Sequence, residues 1–154
     1  MDRTIKLWNV NSGECLRTFR GHLNTVLCVE TLSNERIMSG SCDETLKVWN
    51  VQNDDCLHTF KGYSDLVYRI KFLCEDRIIS GSKNGEIRIW CLKTNSCIQT
   101  IKAHTDYIRD IQVISNNQVA SCSVDKTIKI WDLTSASCIK TIENENAIYS
   151  IEVI

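Results

Sequence analysis

The chain has 154 residues, 43% of them hydrophobic, which is enough for a buried core and too much for a disordered segment. With 18 basic and 19 acidic residues the formal net charge is -1, so no overall positive field exists to hold a phosphate backbone, and nucleic acid is not an expected partner. The opening MDRTIKLWNV lacks a basic region followed by an apolar run, and no later stretch reaches bilayer-spanning length; the expectation is a soluble protein with no membrane partner.

Residues 2–19 read as two strands. The first carries Ile5 and Leu7 on either side of Lys6 and ends at Trp8. Such alternation has period two, not 3.6, which is a strand signal. Residues 25–60 then supply four runs of this kind, TVLCVET, RIMSGS, TLKVWNV and CLHTF, separated by the polar turns LSNE, CDE and QNDD. Residues 66–101 and 107–142 each repeat that four-run unit, and residues 147–154 supply one more first strand. The phrase before each tryptophan recurs almost unchanged: DRTIKLW from Asp2, DETLKVW from Asp43, NGEIRIW from Asn84 and DKTIKIW from Asp125. Trp8, Trp49, Trp90 and Trp131 are therefore 41 residues apart, and a fixed period of this size marks a repeat architecture.

The organisation implied is one repeat segment over residues 1–154. Complete units lie at about 11–50, 52–91 and 93–132, with partial units at 1–9 and 134–154. Four short antiparallel strands cannot bury both faces of their sheet alone, so successive sheets must pack face to face around an axis. Lys6, Lys47 and Lys129 share strand parity with the tryptophans; their stems are expected to lie on apolar surface with the charge reaching water. Nine cysteines form an odd set with no C-x-x-C pair. Cys15, Cys56, Cys97 and Cys138 again step by 41, which predicts four copies of one buried, apolar, free-thiol site and a reducing compartment, cytosol or nucleus.

Gly21-His22, SGSCD at 39–43, TLKVWN at 45–50 and SCSVDKTIKIWD at 121–132 resemble the WD-repeat family of β-propellers, and the likeness covers essentially the whole chain. The expected fold is all-β: three complete four-stranded propeller blades plus partial blades at both ends. GECLRTFRGH followed by SGSCDETLKVWNV is closest in wording to the substrate-binding propellers of F-box ubiquitin ligase subunits. The resemblance implies a buried hydrogen-bonded set in each blade. Complete sets would be His22, Ser39, Asp43 and Trp49, then His104, Ser121, Asp125 and Trp131. The middle unit departs, with Tyr63 in the histidine place, Asn84 for aspartate and Cys91 after the tryptophan; Ser80 and Trp90 remain.

Serine, histidine and aspartate could also form a hydrolytic triad. A nucleophile needs an exposed oxygen, an adjacent base and an oxyanion hole, however, and the resemblance has tryptophan occupying the serine oxygen in the interior. Three histidines without paired cysteines or carboxylates at ligand spacing give no metal site, and no cofactor is expected. By the same resemblance, a protein or peptide would bind across the end of the disc, through Leu27, Tyr68, Arg109 and Tyr149 at the starts of the innermost strands and through Cys42, Lys83 and Val124 before the turn aspartates. Arginine and lysine there suit an acidic or phosphorylated motif. Asp65, Asp106, Asp110 and Glu30 read as solvated charges.

The expected role is a non-catalytic interaction scaffold, in its sharpest form a ubiquitin-ligase substrate adaptor. The alternatives are a structural spacer in a large assembly and a propeller enzyme; mostly apolar inner-strand positions such as Val26, Val67 and Ile108 argue against the enzyme. Closed rings have about 4 to 8 blades. Joining the ends of this chain would still omit about ten residues, the equivalent of 115–124. The ring is thus expected to be completed by the remainder of a longer propeller or by self-association into about eight sheets, ahead of a strained four-sheet ring.

Overall fold

The computed structural model describes residues 2–33, 35–62, 65–74 and 76–154, and every regular element among them is a β-strand. Strands β1 (Ile5–Trp8) and β2 (Cys15–Phe19) pair as a two-stranded sheet. Strands β3 (Val26–Ser33), β4 (Arg36–Ser41), β5 (Leu46–Asn50) and β6 (Cys56–Phe60) form the next sheet, in chain order. The pattern repeats with β7 (Val67–Cys74), β8 (Arg77–Ser82), β9 (Glu86–Cys91) and β10 (Ser96–Lys102). It repeats once more with β11 (Ile108–Ser115), β12 (Gln118–Ser123), β13 (Thr127–Asp132) and β14 (Ser137–Glu143). Neighbouring strands are antiparallel throughout. The all-β expectation holds, and no helix among the described residues could cross a membrane.

Local chemistry fixes the reversals. Between the second and third strands of a sheet the chain turns through a left-handed residue: Glu44 at φ 64°, Gly85 at 77° and Lys126 at 71°. Side chains rarely tolerate that region, and here the preceding Asp43 and Asp125 offset the cost by accepting the N–H groups of Thr45 (3.1 Å) and Thr127 (3.0 Å). Between β1 and β2, and between β13 and β14, Asn9 and Asp132 do the same work, each taking two backbone N–H groups across the turn.

Sheets then stack along an arc. The face of β5 carrying Trp49 lies on Ile5 and Phe19 of the first sheet, while its other face, with Leu46 and Val48, joins Phe60 against Val67, Ile78 and Trp90 of the next. The same relation recurs between the last two sheets, where Ile87, Ile89 and Ile101 meet Trp131. Phe19 meets Trp49 edge-on at 6.0 Å between ring centres, and Phe60 meets Trp90 at 5.5 Å. Small residues on the second strands allow this approach. A Cβ on Gly40 would stand 2.8 Å from Val67 Cγ1, and one on Gly81 would stand 2.6 Å from Ile108 Cγ2. The lysines lie beside the tryptophans, Lys47 Nζ 6.0 Å from the Trp49 ring and Lys129 Nζ 5.8 Å from that of Trp131, and their ammonium groups donate to Thr59 Oγ1 and Ala103 O, each at 2.9 Å.

Two expectations are corrected. Cys15, Cys56, Cys97 and Cys138 are exposed, not buried. Each stands opposite its sheet's tryptophan where the register of the outermost pair shifts, which removes it from the in-out alternation. Their thiols turn back onto their own strand, as Cys56 does toward His58 O at 3.4 Å. Residues 147–154, expected as a strand, have no ladder. They run beside β11 through Gln112 Nε2 to Ile151 O (3.0 Å) and touch β12 through Ile148 N to Ser123 O (3.1 Å). A strand is defined by a hydrogen-bonded ladder, and these isolated bonds do not make one.

Candidate protein-interaction surface

The first polar set runs through the interior between two sheets. Trp49 Nε1–H donates to Ser39 Oγ at 2.8 Å, Ser39 lies 2.7 Å from His22 Nε2, and His22 Nδ1 lies 2.8 Å from Asp43 Oδ2. One proton arrangement satisfies all four groups. The indole can only donate, so the serine passes its own proton to Nε2, leaving Nδ1–H for the carboxylate. Asp43 also accepts from Leu23 N–H (2.8 Å) and from the Thr45 hydroxyl (2.6 Å). His104, Ser121, Asp125 and Trp131 repeat the geometry at 2.7 Å, 2.8 Å and 3.0 Å, with Thr127 in the place of Thr45. The threonines were not singled out from the sequence, although the D-x-T triplet that supplies them is visible in it.

These groups stand in the order of a hydrolytic triad. Ser39 and Ser121 are nevertheless wholly buried, and each oxygen holds an indole N–H, so a substrate carbonyl cannot reach them. In the middle sheet Trp90 Nε1–H likewise donates to Ser80 Oγ (2.9 Å), and Asn84 holds the turn by accepting from Ser82 and from Glu86 N–H. Tyr63 lies outside the described residues. Cys91 is half-buried, and hydrogen bonding with Thr94 lowers its thiol pKa.

Burial lowers the pKa of His22 and His104 below the usual 6.5, against the pull of their aspartates. For Asp125 burial acts upward, but hydrogen bonds from Thr127, His104 and Thr105 N–H together outweigh it and hold the carboxyl at about 2, below the usual 3.8. All three folded values are depressed, so the unfolded chain binds more protons in acid. The histidine contribution to stability is complete above pH 6.5 and is lost as pH falls below it toward the folded values; that of Asp125 is lost between 3.8 and about 2. The urea midpoint should therefore fall steadily from pH 7 to pH 5 and again below pH 4; a midpoint that rises on acidification to pH 5 contradicts the neutral-imidazole arrangement.

At the end of the arc where the innermost strands begin, side chains from three consecutive first-strand positions come together. Lys83 Nζ sits 5.2 Å from the Tyr107 ring centre, and Tyr107 stacks on Tyr68 at 5.8 Å with 24° between planes. The Arg109 guanidinium lies 5.1 Å from Tyr68 and 5.1 Å from Tyr149. Tyr149 is exposed; the other four are half-buried. The hydroxyl of Tyr107 beside Lys83, with the charge of Asp65, holds the ammonium pKa above its usual range.

Four of the seven residues named for this surface thus join one cluster. Leu27, Cys42 and Val124 occupy half-buried equivalents elsewhere on the same end and make no ring contact with it among the described residues. Tyr107 was missed because it precedes its strand and reaches the site only through stacking across sheets. Asp65 and Asp106 accept the next residue's N–H at 2.8 Å and 2.7 Å, and Glu30 pairs with Lys71 at 3.4 Å. Asp110 is a correction: it is 2% exposed rather than solvated, because Arg69 of β7 and residues 150 and 151 close over its carboxylate.

Residues 13–50, 54–91 and 95–132 match the family model described as "WD domain, G-beta repeat". The chain is 49% identical over 43 residues to an uncharacterised WD repeat-containing protein of Schizosaccharomyces pombe, a match covering 27% of this chain and 12% of that protein. It is 34% identical over 38 residues to the WD repeat-containing protein pop2 of the same organism, covering 25% and 5%. Over 31 residues it is 48% identical to mitogen-activated protein kinase kinase kinase A of Dictyostelium discoideum, covering 20% and 3%. The chain spans no more than 12% of the length of these relatives.

Proposed function

The chain belongs to the WD-repeat family, and from that membership we propose that it presents the Lys83–Arg109 end of its arc to an acidic protein segment. WD repeats are in general protein-interaction scaffolds without catalysis of their own, and what they bind is protein or peptide. The observation that carries the narrower reading is the contact chain Lys83, Tyr107, Tyr68, Arg109, Tyr149. With tyrosine rings on two sides of the guanidinium, the edge N–H groups are what remain for a ligand, and that edge suits a two-pronged contact to a carboxylate or phosphate. The tyrosines add apolar area at low entropic cost. Asp65 lies near enough to bear on Lys83, so an acidic ligand gains most on the Arg109 side.

A more particular form of the reading is substrate recruitment for a ubiquitin ligase, which rests on the wording of the repeats alone. Binding is tested by titrating a labelled glutamate-rich peptide and its phosphoserine counterpart against the chain at fixed salt. Arg109→Glu should weaken binding about tenfold or more, and Lys83→Glu by less, about threefold. Equal affinity for wild type and Arg109→Glu retires the basic-edge reading.

A further inference from the structure

We propose that Asp110 is a positioning residue that builds one wall of this surface, by tying residues 149–151 to β11 so that Tyr149 closes over Arg109; the functional half of the claim rests on the binding reading above. Asp110 follows Arg109 on β11 where the register with β12 shifts between Ile108 and Asp110, so Arg109 is the extra residue of a bulge and stays half-buried at the cluster while Asp110, opposite Cys122, is 2% exposed. Its carboxylate gathers groups from three neighbouring segments. Oδ1 accepts Ile111 N–H at 2.9 Å and lies 2.9 Å from Arg69 Nε of β7, a charge contact in which the N–H is not aligned as a hydrogen bond. Oδ2 accepts the Ser150 hydroxyl at 2.9 Å and Ile151 N–H at 3.2 Å.

The last two bonds matter most because residues 147–154 have no strand ladder to hold them. Among the described residues their other hydrogen bonds are Ile148 N–H to Ser123 O and Gln112 Nε2–H to Ile151 O. Tyr149, 61% exposed, lies directly between the Ile148 and Ser150 attachments, and its ring stays over Arg109 only while that backbone is held. A carboxylate suits this position because it offers acceptors to a hydroxyl and two amides while countering the Arg69 charge. Asparagine keeps the shape but loses one acceptor oxygen and the charge.

The test uses the whole 154-residue chain and reads three signals: amide exchange at Ile151, the Arg109 Nε–Hε resonance that the two tyrosine rings displace, and affinity for the glutamate-rich peptide. Asp110→Asn should speed exchange at Ile151 about tenfold, leave the amides of β12 and β13 unchanged, and move the Arg109 resonance toward that of free arginine. Peptide affinity should fall about fivefold. Tyr149→Ala should move the resonance and the affinity without speeding Ile151. Should Asp110→Asn fail to fold, Ser150→Ala carries the test, with about threefold faster exchange at Ile151. Unchanged Ile151 exchange in the variant that folds, or a freed Ile151 with an unmoved Arg109 resonance, overturns the positioning role. If wild type binds no peptide, the binding reading fails alone and the first two signals still decide whether Asp110 holds Tyr149.

Discussion

Trp49→Ala should lower the free energy of unfolding by about 3–5 kcal/mol, whereas Trp8→Ala should lower it by less than about 1 kcal/mol. The two residues occupy the same place in the same repeated phrase, so propensity and strand parity are matched. They differ in what covers them. Trp49 is 1% exposed, packed on Phe19 and hydrogen-bonded to Ser39, while Trp8 is 51% exposed at the outer face of the first sheet. Removing the first leaves a void between two sheets and takes away the donor to Ser39 Oγ, which keeps His22; removing the second leaves open water. Urea titrations followed by circular dichroism, which does not depend on the indole signal, give both values. Similar losses would mean that burial between sheets is not what the tryptophan repeat encodes.

Ser39→Ala should destabilise by about 2–4 kcal/mol, far more than the deletion of one surface hydroxyl, because two buried groups lose their partner at once. Among the described residues Ser39 Oγ is the one hydrogen-bond partner of the Trp49 N–H and of His22 Nε2. Ser121→Ala should behave alike, since Trp131 and His104 meet the same oxygen. Trp49→Phe removes the indole donor while keeping an aromatic ring, so Ser39→Ala should cost about 1 kcal/mol less in that background. Additive losses in this double-mutant cycle would show that the indole and the serine are not coupled.

Much of the fold was legible because two periods coincide. The two-residue alternation of Ile5, Leu7, Leu46 and Val48 marks strands, and the 41-residue step of the tryptophans marks sheets that cover one another. Where a residue's surroundings are set by its own repeat, as for Ser39 beside Trp49, the family resemblance implied them. Where they are set by the next sheet or by an irregularity, it was not. The cysteine row showed equivalence but not direction, because the register shift opposite each tryptophan lies in the backbone. Asp110 looked like an edge charge because its period mates are Cys28 and Arg69, and its partners Arg69 and Ser150 lie 41 and 40 residues away on separate segments. Tyr107 differs again: it precedes its strand, and only the curvature of the arc brings it onto Tyr68.

The repeat, then, is a device for burying one indole between each pair of adjacent sheets, with its N–H on a serine of its own sheet. Hydrogen exchange at the four indole N–H groups tests this most directly. Three signals, those of Trp49, Trp90 and Trp131, should be strongly protected and should exchange only through opening of the stack, while Trp8 exchanges at nearly the free rate. Four indoles exchanging alike, whether all fast or all slow, would contradict it.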